Sequence, residues 1–286
     1  MGDHTPAQAA GRQSAVISSA PERLAVAALF LGVGAVGVYY GARDWLPPLA
    51  SKHGAGIDAM MAYLLVTTGA IFLAGHLILG YLVWKGSGRT AAVHRPVSRR
   101  YEWLLSGTLG LAMGIVAEGG VLAIGIPVWN EYYNATAVAD TLTIEVIGQQ
   151  FMWNVRYPGK DGSFGRTDTR LINDADNPIG LDQTDRTAAD DILTQNEIYV
   201  PVNRPVRIRL KSKDMIHSFF LPHFRVKQDA VPGMTPEVFF TPTVTGSFEI
   251  ACAELCGLGH YRMQGLFNVV SDAAFTAWLS SQATAR

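Results

Sequence analysis

The sequence predicts a membrane-anchored α + β protein, with two or three N-terminal transmembrane helices followed by a β-sandwich or barrel. Three observations carry this reading. Apolar residues fall in long runs up to about residue 130 and in short alternating segments beyond it. Hydrophobic residues make up 49% of the 286-residue chain and charged residues only 16%, with a formal net charge of −1. That balance suits a chain partly solvated by lipid and leaves nucleic acid out of the expected partners. The only two cysteines stand close together in a glycine-punctuated stretch near the C-terminus.

Residues 1–20 are polar and rich in Ala, Gln and Ser, and read as a tail. About 20 mostly apolar residues cross a bilayer, and the candidate runs cover about 24–41, 60–84 and 103–129. The second and third carry aromatic residues near their ends, as membrane interfaces favour. The first is shorter and rich in Gly and Ala. It reads either as a secretory signal, with Arg12 and Arg23 before the apolar stretch, or as a retained span. Tyr39-Tyr40-Gly-Ala-Arg-Asp fits a cleavage site poorly, so a retained helix with its N-terminus inside is expected. Between the second and third runs lie Lys85, Arg89, Arg95, Arg99 and Arg100, with no acid before Glu102. Positive loops stay cytoplasmic, which puts everything after Pro127 on the outer side. The helical region is thus 21–134. Within it, His76 and Glu118 are ionisable groups costly to hold in lipid, and Glu118 is expected to face a protein partner.

Residues 135–271 read as β. Segments 142–147, 197–202, 206–210, 238–241, 247–251 and 266–270 alternate or are β-branched, with Pro, Gly and Asn between them. Short strands at such spacing predict a sandwich or barrel. Residues 160–197 interrupt the pattern with nine acidic and four basic residues. They read as a solvated loop or as a docking surface for a basic partner, with Asp182, Asp185, Asp190 and Asp191 as its candidate carboxylates. A terminal helix is predicted from Asp272 to Ser281, with an Asp cap and an apolar stripe of Phe275, Trp278 and Leu279, inside a C-terminal segment of 272–286.

The chemistry concentrates in Cys252-Ala-Glu254-Leu-Cys256-Gly-Leu-Gly-His260-Tyr-Arg-Met263. Two thiols, an imidazole and a thioether are soft ligands that select copper. A second imidazole stands upstream in Asp214-Met-Ile-His217-Ser. A mononuclear blue-copper site uses one Cys, two His and a weak Met. Two thiolates that bridge, with one His per metal, suit a dinuclear copper centre and electron transfer. Other readings of the same residues are a disulfide, a tetrahedral zinc site that leaves Met263 unused, and a buried helical stripe, against which Gly257 and Gly259 argue.

These runs, with Val226-Lys-Gln-Asp-Ala-Val-Pro-Gly233, give the chain a resemblance to subunit II of the haem–copper cytochrome c oxidases, over roughly residues 60–280. The resemblance implies a cupredoxin-like Greek-key barrel carrying the Cu-A centre. In that pattern Cys252 and Cys256 bridge two copper ions, His217 and His260 bind one each, and Met263 and the Glu254 carbonyl are weak axial ligands. The Glu254 carboxylate is implied to reach a magnesium ion shared with subunit I, a hard cation suited to oxygen ligands. Gly148-Gln-Gln-Phe151-Met-Trp153 resembles the family's aromatic cluster for electron acceptance, with Phe151 standing where a Trp is usual. Glu102 aligns with a glutamate at the mouth of a proton channel.

The implied function is electron acceptance from cytochrome c, or from a cytochrome held in a supercomplex, and delivery to haem in subunit I of a bacterial inner-membrane oxidase. Oxygen reduction and proton pumping would take place in that partner, with other oxidase subunits alongside. Alternatives are the Cu-A subunit of a nitric oxide reductase, or a membrane-tethered copper carrier.

Overall fold

The computed structural model describes residues 20–43, 45–85, 98–133 and 140–284. The expected tail and the basic loop between the second and third runs lie almost wholly outside the described residues. The chain divides into two units, one within 1–43 and 62–119, the other within 44–61 and 120–286.

The three apolar runs are helical: α1 (Ala20–Gly41), α2 (Gly54–Lys85), and a third span, Arg99–Tyr133, made of α3 (Arg99–Met113) and α4 (Gly119–Tyr133). All three are long and apolar enough to cross a membrane. Ser98 starts α3 as its N-cap, its hydroxyl accepting from the Tyr101 amide. A π-helical turn at Gly114–Glu118 joins α3 to α4. Gly119 N–H, at the end of that turn, donates to Gly114 O and Val116 O, and the Tyr63 hydroxyl also donates to Val116 O.

The second unit holds two five-stranded sheets. Its strands are β1 (Leu142–Gln149), β2 (Met152–Tyr157), β3 (Ile192–Gln195), β4 (Glu197–Pro201), β5 (Val206–Ser212), β6 (His217–Leu221), β7 (Val226–Ala230), β8 (Glu237–Phe240), β9 (Gly246–Cys252) and β10 (Gln264–Val270). They order as β3-β2-β1-β5-β8 and β4-β10-β9-β6-β7, with β1/β5 and β4/β10 parallel. Alternation explains the packing. Ile144 and Val146, Val155, Val206 and Ile208, Ile198 and Val200, Phe267 and Val269 point into one shared core.

Four strands were not expected from the sequence. In β6 (His-Ser-Phe-Phe-Leu) four of five residues are buried, so no polar face marks the period. In β2 the inward Trp153, Val155 and Tyr157 alternate with Asn154 and Arg156, but Asn154 and Arg156 are buried too. β7 is short and mixed, and β3 falls inside the stretch read as an irregular loop.

That loop is more than a solvated excursion. It covers the outer face of β1 and β2, where Ile179, Leu181 and Ala188 pack with Ile147 and Leu193. Cross-strand register sets Arg156, Glu145, Arg209 and Glu237 in one row across β2, β1, β5 and β8. Arg156 bonds Glu145 at 2.6 Å and Asp191 at 3.2 Å, all three essentially buried. Lys211 reaches Glu145 at 2.7 Å. Burial alone would raise the Glu145 pKa, but Arg156, Lys211 and Arg209 together hold it below the usual carboxylate range.

The connection after α1 also belongs to this unit. Ala50 donates to His223 O at 2.8 Å and accepts from Thr243 N at 2.9 Å, adding a strand-like strap to the sandwich. Arg225 holds Asp58 at 2.7 and 3.0 Å and the Pro47 carbonyl at 2.8 Å. The C-terminal helix α5 (Asp272–Thr284) runs one turn past its predicted end. It buries Phe275 and stacks Trp278 on Tyr199 at 4.7 Å between ring centres.

Candidate metal centre

The core-facing rows of three strands run out at one end of the sandwich in candidate metal ligands instead of hydrocarbons. Leu221 and Phe219 on β6 lead to His217, Ile250 on β9 leads to Cys252, and Val269 and Phe267 on β10 lead back to Met263. Period-two alternation forces this, because residues two apart share a face. β6 and β9 pair with Phe219 opposite Cys252, and Ala253 N donates to Ser218 O at 2.9 Å, which draws His217 beside the first cysteine. The β9–β10 loop then closes on itself, with Cys252 N donating to Met263 O at 3.2 Å.

Ligand atoms of His217, Cys252 and Cys256 all lie within 4.8 Å of one another, and all three residues are buried. Cys252 Sγ is 3.2 Å from Glu254 O and 3.8 Å from Cys256 Sγ. Cys256 Sγ is 3.5 Å from His260 Nδ1 and 3.7 Å from Met263 Sδ. Both cysteines are free thiols, which disposes of the disulfide reading. Gly257, at φ 120°, makes a loop of the segment expected by one reading to be a helical stripe.

Two features suit the set to soft metal. His217 Nδ1 is buried with no hydrogen-bond partner, while its Nε2 is held by Asp214 Oδ1 at 2.8 Å. An imidazole fixed through one nitrogen presents the other as a ligand. Met263 is almost fully buried against Cys256, a fifth soft donor that a closed Cys2His2 zinc site would not use. Burial and the neighbouring Cys252 thiol push Cys256 up to about 11, so the metal-free Cys256 thiol stays protonated at neutral pH. An incoming cation must displace that proton.

Asp214 went without a role in the sequence reading, although a carboxylate three residues before a ligand histidine is the signal for it. Burial would raise its pKa, but bonds from His217, Gln150 N and Met215 N hold it below the ordinary range. The Glu254 carboxylate is exposed on the loop, and its carbonyl faces Cys252. Phe151 lies under the ligand loop, where a Cβ on Gly259 would fall 2.4 Å from its ring. Trp153 is fully buried beneath His217, with ring centres 6.0 Å apart. Glu102 sits exposed on the first turn of α3, Glu118 ends the π turn, and His76 Nδ1 bonds Phe72 O at 2.8 Å. None of the three joins the ligand cluster.

Comparison with known proteins agrees with this geometry. The profile of the cytochrome c oxidase subunit II periplasmic domain matches residues 142–270, from the start of β1 to the end of β10. An alternative cytochrome c oxidase subunit 2 of Bradyrhizobium diazoefficiens is 36% identical over 91% of this chain and 92% of that protein. The chain belongs to the cytochrome c oxidase subunit II family. A cytochrome c oxidase subunit 2 of Cereibacter sphaeroides is 30% identical over 81% of this chain and 78% of that protein. A crystal structure of the periplasmic domain of subunit II from Bradyrhizobium japonicum shares 34% identity, covering 52% of this chain and 98% of that one, with a TM-score of 0.39. As a subunit II chain it is part of an oxidoreductase complex, anchored by span-capable helices and carrying a cupredoxin-like periplasmic domain. The His217, Cys252 and Cys256 group is consistent with Cu-A.

Proposed function

We propose that this chain accepts electrons from a cytochrome at a dinuclear copper centre and passes them to haem in subunit I of a bacterial inner-membrane oxidase. The observation that carries the reading is the convergence of two free thiols, Met263 and two imidazoles, one of them with an orphaned, buried Nδ1. Cys252 and Cys256 would hold both coppers, His217 and His260 one each, and Met263 and the Glu254 carbonyl would complete the set as weaker donors. When bound, such a pair supplies a one-electron store that changes shape little with redox state. The chain's part is to hold the donors rigid and dry: Asp214 fixes His217, and the core rows behind the ligands exclude water. Glu254 would offer its exposed carboxylate to magnesium at the subunit I interface, and Glu102 would serve the mouth of a proton channel in that partner. Domain limits near 135 and 271 go with this reading.

The donor we favour is a cytochrome held in the complex over a soluble basic one. Four of the segment's nine acids are already held in ion pairs: Asp168 with Arg170, Asp182 and Asp185 with Arg166, and Asp174 with Lys213. Asp191 is buried on Arg156 and offers nothing to a docking partner. The ligand loop instead presents Leu255, Leu258 and Tyr261 to solvent. Phe151 at the rim and Trp153 beneath His217 are the aromatic groups we assign to electron acceptance.

The deciding experiment is copper content and electron paramagnetic resonance of the full chain purified in detergent. Two coppers per chain with the multi-line signal of a shared electron are expected. One copper with a four-line signal, or zinc, overturns the proposal.

A further inference from the structure

We infer that Gln150 is the positioning residue that sets the two ligand-bearing segments of the metal centre in register. The inference rests on the copper reading above and concerns a residue that touches no ligand side chain. The two segments come from distant parts of the chain: His217 opens β6, and Cys256, His260 and Met263 lie between β9 and β10. Strand pairing joins them only at Phe219 with Cys252 and Phe220 with Ala251, and through the Ala253–Ser218 bond. Beyond Cys252 the ladder ends, and no strand pairing fixes Cys256 against the His217 side.

Gln150, in the turn from β1 to β2, bridges that gap. Its carboxamide Nε2 donates to the Cys256 carbonyl at 2.7 Å and reaches Met215 Sδ at 3.1 Å. Its backbone N–H donates to Asp214 Oδ2 at 2.7 Å. The other Asp214 oxygen accepts from His217 Nε2 at 2.8 Å and from Met215 N at 2.7 Å. One residue thus ties the carbonyl of a bridging cysteine to the carboxylate that orients a histidine ligand. Bonds to a charged acceptor are among the stronger ones, and outer partners of metal ligands commonly matter tenfold or more in affinity.

A second, independent observation is the space at Gly257. A Cβ there would lie 2.8 Å from Gln150 Nε2. The loop therefore comes down onto this carboxamide as closely as a glycine permits. Gln150 itself is exposed at the rim, so its substitution leaves the core intact and the fold is expected to survive. The role is specific to the donor group: Gln150→Glu keeps the size but puts an acceptor against the Cys256 carbonyl. Gln150→Asn keeps an amide but falls one methylene short.

The test uses the full chain in detergent, loaded with copper, and compares wild type with Gln150→Glu, Gln150→Asn and Gln150→Leu. Circular dichroism melting confirms the fold of each. We expect copper release to a chelator at least tenfold faster in all three variants, with altered hyperfine lines and a shifted reduction potential. Release within twofold of wild type, with unchanged spectrum and potential in the folded variants, overturns the assignment. A variant that fails to fold, against the rim position of Gln150, also counts against it. If wild type itself holds no two-copper centre, the copper reading fails first, and the two failures are told apart by that control.

Discussion

Two regions of the extramembrane unit hold a loop against the sandwich by opposite means. At the ligand end, the β9–β10 loop is kept by neutral donors, soft sulfur contacts and a single carboxylate. On the outer face of β1 and β2, the segment before β3 is kept by a buried ion network around Arg156 and by a small apolar cluster. The first arrangement leaves a nitrogen and two thiols without strong partners, free for metal. The second uses up its charges: Glu145 alone meets Arg156, Lys211 and Arg209. A site that must bind keeps donors free of strong partners, and the scaffold pairs its buried charges with one another.

The largest break in this comparison is expected at the thiols. Cys252→Ser or Cys256→Ser should abolish the two-copper state while the fold persists, read by metal content per chain and by the loss of the multi-line resonance. Next is the ion network. Arg156→Met strips buried Asp191 of its cation and leaves Glu145 to Lys211 and Arg209, and is expected to cost about 3–5 kcal/mol in thermal or denaturant unfolding, with less effect on the copper spectrum of the folded fraction. Equal damage to both readouts would show that the two regions are not separable.

A third test concerns the strap. His53 is buried against Tyr132 and Phe240, and burial lowers its pKa from 6.5 to about 4. Below pH 6.5 the unfolded chain takes up a proton that the folded one refuses. Stability is therefore full above 6.5 and falls as the pH drops towards 4, by up to about 3 kcal/mol. His53→Phe should flatten this slope in melting curves recorded across that range. A slope unchanged by the substitution would assign it to other groups.

A smaller effect is expected at Met263→Leu, which should keep both coppers and shift the reduction potential, because a weakly held thioether would tune the centre more than anchor it. Smallest of all is neutralisation of the exposed pairs. Asp182→Asn with Asp185→Asn should leave the melting temperature nearly unchanged, as surface ion pairs contribute little, and leave the salt dependence of electron uptake unchanged. A marked fall in the rate with a soluble basic cytochrome would instead restore the docking role of the acidic segment.

Much of this protein was legible in the chain because short-range rules govern it. The apolar runs gave the span-capable helices. Alternation gave β1, β4, β5, β8, β9 and β10 close to their observed limits. The spacing of Cys252, Cys256, His260 and Met263 singled out the β9–β10 loop, in which the structure brings these four side chains together. Where both faces of a strand are buried, as in β6 and β2, the period vanishes and sequence patterning is blind.

What only the tertiary structure decided depends on groups far apart in sequence. That Asp191 is buried on Arg156, and so cannot meet a docking partner, follows from a segment that folds back over β1 and β2 to join residues 35 positions apart. That Trp153 lies beneath His217, that Asp214 holds the imidazole by one nitrogen, and that Gln150 spans the two ligand segments follow from strand register. Residue types and local spacing determine which chemistry is available. Direction and distance between side chains, set by β-pairing across the sandwich, determine which of those groups are spent on the scaffold and which are left to bind.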